Sequence, residues 1–102
     1  MYHPVKTIQD FTKSVTGLWS NPQTKNQFYF TRDRSNPSKG EIDIFQHGLN
    51  EPVSLHFRLL TKCDHVIPNV EGASYDISLE DIPAQSLSIT VSQGKTLRLL
   101  KK

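Results

Sequence analysis

The feature that most constrains this chain is the run Val53-Ser54-Leu55-His56-Phe57-Arg58-Leu59, apolar at each odd position and polar or charged at each even one. Successive side chains of a strand point to opposite faces, so such a run buries one face and wets the other. The same period of two recurs along most of the chain. Val15, Gly17 and Trp19 share a face, as do Phe28 and Phe30 within residues 27–33 and Ile42 and Ile44 within residues 41–46. Tyr75, Ile77 and Leu79 follow, then Leu87, Ile89 and Val91, and finally Leu97 and Leu99. The pattern predicts seven strands.

What joins the strands decides the architecture. Turn chemistry separates them: Asn-Pro at 21 and 36, Lys39-Gly40, His47-Gly48, Asn50-Glu51-Pro52, Asp81-Ile82-Pro83 and Gln93-Gly94. No connection has room for a crossover helix, which excludes βαβ units and leaves an all-β antiparallel meander. Curling into a barrel of seven or eight short strands is the simplest way for such a meander to blunt its edges. Ahead of it, Val5, Ile8 and Phe11 recur every third position, predicting a short N-terminal helix with Pro4 at its first position. A helix this short needs a surface to lie on, and the open end of the barrel supplies one.

The chain of 102 residues is read as one domain, 1–102, without repeats or linkers. A net charge of +2 gives no bulk attraction for nucleic acid. The single cysteine, Cys63, excludes an internal disulfide framework and fits a reducing compartment. No apolar run near the N-terminus is long enough for a leader or a membrane span, so the expected location is cytoplasmic.

The residues offer little for chemistry. Cys63-Asp64-His65 sets a thiol and an imidazole two apart, with His47 and His56 as further donors, but none of the close ligand spacings of zinc sites is present. A Cys/His nucleophilic pair lacks an orienting third residue. The chain is therefore read as non-catalytic, without metal or cofactor. Residues 27–34 place aromatics beside Arg32 and Arg34, as single-stranded nucleic-acid platforms do, but only Tyr29 would face outward.

Binding is the remaining class. Inward residues such as Phe28, Phe30, Leu55 and Phe57 are large, so a small barrel would be mostly filled by its own side chains. Tyr75 is the inward residue able to orient a polar ligand group. Residues 63–72 read as the longest connection, with Val66, Ile67 and Val70 around Pro68, suited to a lid, a contact patch or a plug. Phe57, Tyr75, Val66, Ile67 and Val70 are thus the candidate ligand-binding residues.

Gly17-Leu18-Trp19 at the start of a strand series resembles the opening strand of the lipocalin-like (calycin-type) barrels. That resemblance implies that Gly17 and Trp19 close one barrel end beneath a basic residue of the last strand, with Arg98 as the candidate. Gly17-Leu18-Trp19-Ser20-Asn21 with the following Phe/Tyr-rich strand is also similar to the staphostatins, cytoplasmic inhibitors of cysteine proteases. Those carry a Gly before a Thr-Ser pair near the C-terminus; the corresponding stretch here is Gln93-Gly94-Lys95-Thr96, and inhibition would require an extended loop over 92–96. The leading expectation is a binding protein for a small hydrophobic molecule at the barrel mouth. Its alternatives are a protein partner, met as an interaction module or protease inhibitor through loops, and weak single-stranded nucleic-acid binding.

Overall fold

The computed structural model describes residues 2–80, 86–90 and 94–102. Val91, Gln93 and the turn Asp81-Ile82-Pro83 lie outside the described residues. In chain order the elements are β1 (Tyr2–Pro4), α1 (Ile8–Ser14), β2 (Gly17–Ser20), β3 (Gln27–Arg32), β4 (Lys39–Phe45) and β5 (Val53–Lys62). β6 (His65–Val70), β7 (Ala73–Ser74), β8 (Asp76–Glu80), β9 (Ser86–Thr90) and β10 (Thr96–Lys101) complete them. All seven expected strands form, and β1, β6 and β7 are additional.

The strands build one antiparallel sheet in the order β1-β8-β9-β10-β2-β3-β4-β5-β6-β7. Its ladder is open, with ten strands in place of a closed barrel of seven or eight. Even so, the two ends meet. β7 ends that order on one side and β8 stands second from the other end, beside β1, yet a single residue, Tyr75, joins them. A link of one residue spans only a few ångströms, so the sheet must curl until its ends adjoin.

Two backbone hydrogen bonds cross the resulting seam: the Val66 N–H donates to the Val5 carbonyl (2.6 Å) and the Tyr75 N–H to the Pro68 carbonyl (3.1 Å). Pro68 explains why the ladder stops there. The N and C=O of a strand residue point to the same side, so the missing donor of Pro68 faces the seam and leaves its pairing with β5 intact. His65 bridges the same region, with Nδ1 3.2 Å from Asp64 and Nε2 3.3 Å from Asp76 on β8.

Residues 63–72 are therefore not a lid. Cys63-Asp64 is a two-residue turn closed by the Lys62 and His65 pair, and Cys63 adopts a positive φ of 54°. Glu71-Gly72, at φ 51° and 88°, makes a second tight turn into β7. Val66, Pro68 and Val70 face the core, and Ile67 is buried on the opposite face beside Leu60.

The helix begins later than expected. Pro4 pairs with Ser78 in β1, and Thr7 caps α1 by accepting the Asp10 N–H at 3.0 Å. Phe11 is the one fully buried helical residue, and its ring meets Phe57 at 5.4 Å between centroids, tilted by 56°. Val5, Val15, Trp19, Phe30, Leu87 and Leu99 are fully buried with it in one contiguous core.

Candidate functional site

The inward faces of β3, β4, β5, β8, β9 and β10 do not fill the curled sheet. Together with β6 and Tyr75 they enclose a cavity of about 160 Å³. Phe30, Pro68 and Ile77 are fully buried and form its floor, with Ile42, Val70 and Ile89 nearly so. Phe28, Ile44, Leu55, Tyr75 and Leu97 are half-buried and form its rim. Ten of the eleven lining side chains are hydrocarbon; the exception is the Tyr75 hydroxyl.

Of the five candidate ligand-binding residues, Tyr75 and Val70 line this cavity and Phe57, Val66 and Ile67 do not. Phe57 is core: 3% exposed, it packs beneath α1 and across Gly40, its cross-strand partner. Val66 is buried at the seam. The lining was legible in the alternation, since Phe28, Ile44, Leu55, Ile89 and Leu97 all fall on inward positions. Whether they met in the middle depended on the curl of the sheet, which no local pattern encodes.

Two wider clefts, of about 320 and 490 Å³, lie beside Phe57, where Lys39 and His56 line both. The first mixes Arg32 and Lys39 with Asp33 and Glu41, so its charges offset one another, and the second sets Lys39 and Arg58 against Glu71, a slight positive excess.

The far end of the core holds the Gly17 and Trp19 pair. Trp19 is fully buried, and its Nε1–H donates to the Val15 carbonyl at 2.7 Å. The base over its ring is Lys101, not Arg98. The Lys101 Nζ lies 4.8 Å from the Trp19 ring centroid and donates to the Thr16 carbonyl at 3.3 Å. A Cβ on Gly17 would come within 2.6 Å of that Nζ. Arg98 instead stands 5.9 Å from the Tyr2 ring centroid on the outer face. Strand parity accounts for the correction: Lys101, Leu99 and Leu97 share the inward face, and Lys101 is the register partner of Trp19. Lys101→Ala is expected to cost about 1 kcal/mol in urea unfolding through the lost cation–π contact and hydrogen bond. Arg98→Ala should cost less than about 0.5 kcal/mol, the range of ordinary surface changes.

The remaining sequence candidates are dispersed. Both ring nitrogens of His65 face carboxylates, and Cys63 is exposed in the turn. Among the described residues no three His, Cys, Asp or Glu side chains converge as a metal site would require. Tyr29 is exposed on β3 with Asp43 as its register partner, an acidic neighbour for a would-be nucleic-acid platform. Gly94 takes a positive φ of 81°, and Thr96 already pairs with Thr90 in the ladder. No helix among the described residues is long and apolar enough to cross a membrane.

Three carboxyl groups, the exposed Asp33 and Asp64 and the half-buried Glu80, are held below their ordinary values. The Ser35 hydroxyl and backbone N–H lower Asp33, a hydrogen bond from His65 lowers Asp64, and the Ser86 hydroxyl lowers Glu80. A carboxylate whose pKa is lower in the folded chain stabilises it above the unfolded value, and that contribution is lost as pH falls through the folded value. The unfolded reference values are 3.8 for Asp and 4.5 for Glu. The melting temperature is thus expected to decline below about pH 4.5, and Ser35→Ala should make that decline shallower. A melting temperature flat between pH 5 and pH 3 would contradict the assignment.

Comparison of the chain with protein-family models, with curated proteins and with solved structures returns no match, so the cavity and its lining are the ground on which function is argued.

Proposed function

We propose that this protein is a non-catalytic binding protein that works as a lipocalin-like barrel and takes a small apolar molecule into the cavity behind Tyr75. The observation that carries the reading is the cavity's composition: ten hydrocarbon side chains and one hydroxyl around about 160 Å³, open at a half-buried rim. Apolar concavities with a few placed polar groups are the usual form of a small-molecule site. An apolar void left empty costs stability through lost contacts, which an apolar guest restores.

Native mass spectrometry of freshly purified protein tests the reading against the rim variant Leu97→Trp. The wild-type chain should carry a noncovalent adduct that the variant lacks. Identical adduct-free spectra from both would count against carriage.

A second reading, a protein-interaction module, is favoured by the tip of the β4–β5 hairpin. Phe45, Leu49 and Val53 are 38%, 62% and 47% exposed there, close in sequence to the rim residues Ile44 and Leu55. Clustered apolar exposure of this kind marks contact surfaces.

A further inference from the structure

The cavity's size, its lack of charge and its single hydroxyl together narrow what it can hold. We infer that its ligand is a neutral compound with an apolar body no larger than about one aromatic ring or a short branched chain, bearing one hydrogen-bonding group turned outward to Tyr75. This rests on the reading of the cavity as the binding site and specifies the chemical class that the site selects.

Size sets the body. An engineered apolar cavity of about 150 Å³ in another protein stays dry and accepts benzene. The cavity here, at about 160 Å³, is of that class. It falls below the roughly 300 Å³ at which sites for larger, drug-sized molecules begin. A long acyl chain or a fused-ring compound would project far beyond the rim.

Charge sets the head. None of the lining residues is Lys, Arg or His. A carboxylate drawn into this lining would lose its water without meeting a cation, and an unpaired buried ion is strongly disfavoured. Fatty-acid-like and benzoate-like anions are therefore rejected, although the chain as a whole is weakly basic.

Tyr75 sets the orientation. Its backbone is fixed at the seam, where its N–H donates to the Pro68 carbonyl and its neighbours Ser74 and Asp76 belong to β7 and β8. Among the described residues its hydroxyl makes no hydrogen bond, and it is not sealed from solvent. It is thus a free donor and acceptor on the rim of an otherwise hydrocarbon pocket. A ligand hydroxyl or carbonyl placed there gains a partner while its apolar body fills the floor against Phe30 and Ile77.

Three probes of one size separate the possibilities: toluene, 4-methylphenol and 4-methylbenzoate, titrated into the full chain and followed by amide chemical shifts. Toluene should bind, 4-methylphenol should bind about three- to tenfold tighter through one added hydrogen bond, and 4-methylbenzoate should bind at least about tenfold more weakly than toluene. Tyr75→Phe keeps the ring and removes the hydroxyl. It should bring 4-methylphenol to the affinity of toluene while leaving toluene within about twofold, since no apolar contact is lost. If 4-methylbenzoate bound as tightly as toluene, or if Tyr75→Phe left the preference for 4-methylphenol intact, the inferred ligand class would be wrong and the cavity would remain a binding site. If none of the probes shifted the lining residues in a variant-sensitive way, both the ligand class and the binding reading would fall.

Discussion

Trp19→Ala is expected to destabilise the protein by about 3–5 kcal/mol, the range for removing a buried large aromatic side chain. Several losses coincide at this position. Trp19 is completely buried, so the truncation leaves a void in the core. The Val15 carbonyl loses its 2.7 Å donor inside the protein, and Lys101 loses the ring it stands over. Because a domain of this size is typically stable by only about 5–15 kcal/mol, the variant should be partly unfolded or unfold at much lower urea. Trp19 is the only tryptophan, so the measurement needs far-ultraviolet circular dichroism rather than intrinsic tryptophan fluorescence. Trp19→Phe separates the contributions: it restores most of the volume but still orphans the Val15 carbonyl, for an expected cost of about 1–3 kcal/mol. A Trp19→Ala cost below about 1 kcal/mol would mean that Trp19 is not the keystone of this end.

Gly40→Val should rank beside it, for the opposite reason. Gly40 faces inward on β4, directly across from Phe57, and the Phe57 ring lies over it. A Cβ at this position would overlap Phe57 Cζ and the Thr31 carbonyl oxygen and would come within 2.8 Å of Phe57 Cε2. The ring is already held against Phe11, so it cannot swing away without disturbing the helix. Overpacking usually costs about 1–3 kcal/mol, and a clash with backbone on one side and a wedged ring on the other places valine at or above the upper end. Gly40→Ala gives the milder version. Combined with Phe57→Leu, it should cost less than the sum of the single changes by about 1 kcal/mol, because the two share one space. Additive costs would show that the ring does not cover Gly40.

The fold was legible where one face of a strand meets water. β5 announces itself through strict alternation, and the expected strands around Phe28, Ile42, Ile77, Leu87 and Leu97 stand where the pattern put them. β6 was hidden for a physical reason. Ile67 is buried on its outer face between the half-exposed His65 and Asn69, which breaks the period of two in His65-Val66-Ile67-Pro68-Asn69-Val70, and Pro68 argues against a strand unless it stands at a seam. The edge strand β1 is too short for any period to show, and Pro4 there reads equally well as a helix start. β7 is two residues long and exists only because Glu71-Gly72 turns the chain back.

The candidate site was half legible. Tyr75 and Val70 belong to it, and their inward neighbours were identifiable one strand at a time. The cavity depends on how far the sheet curls before Tyr75 carries the chain across the seam, a long-range property that local alternation does not contain. Phe57 reads from the sequence as one of the large inward residues, but Gly40 and Phe11 claim its ring for the core. Arg98 is the basic residue that the barrel resemblance singles out on the last strand; counting faces from Leu99 points instead to Lys101, which the sheet register sets opposite Trp19.

The central claim is that the space behind Tyr75 is an apolar, accessible binding cavity and not a packing defect or a water site. A crystal of the protein equilibrated under xenon tests it most directly, since xenon enters dry apolar cavities of this size without help from hydrogen bonds. The expected result is a single strong peak enclosed by Phe30, Ile77, Leu55 and Leu97, lost in Leu97→Trp. Ordered water in that space, or xenon bound only on the β4–β5 tip by Phe45, Leu49 and Val53, would contradict the account.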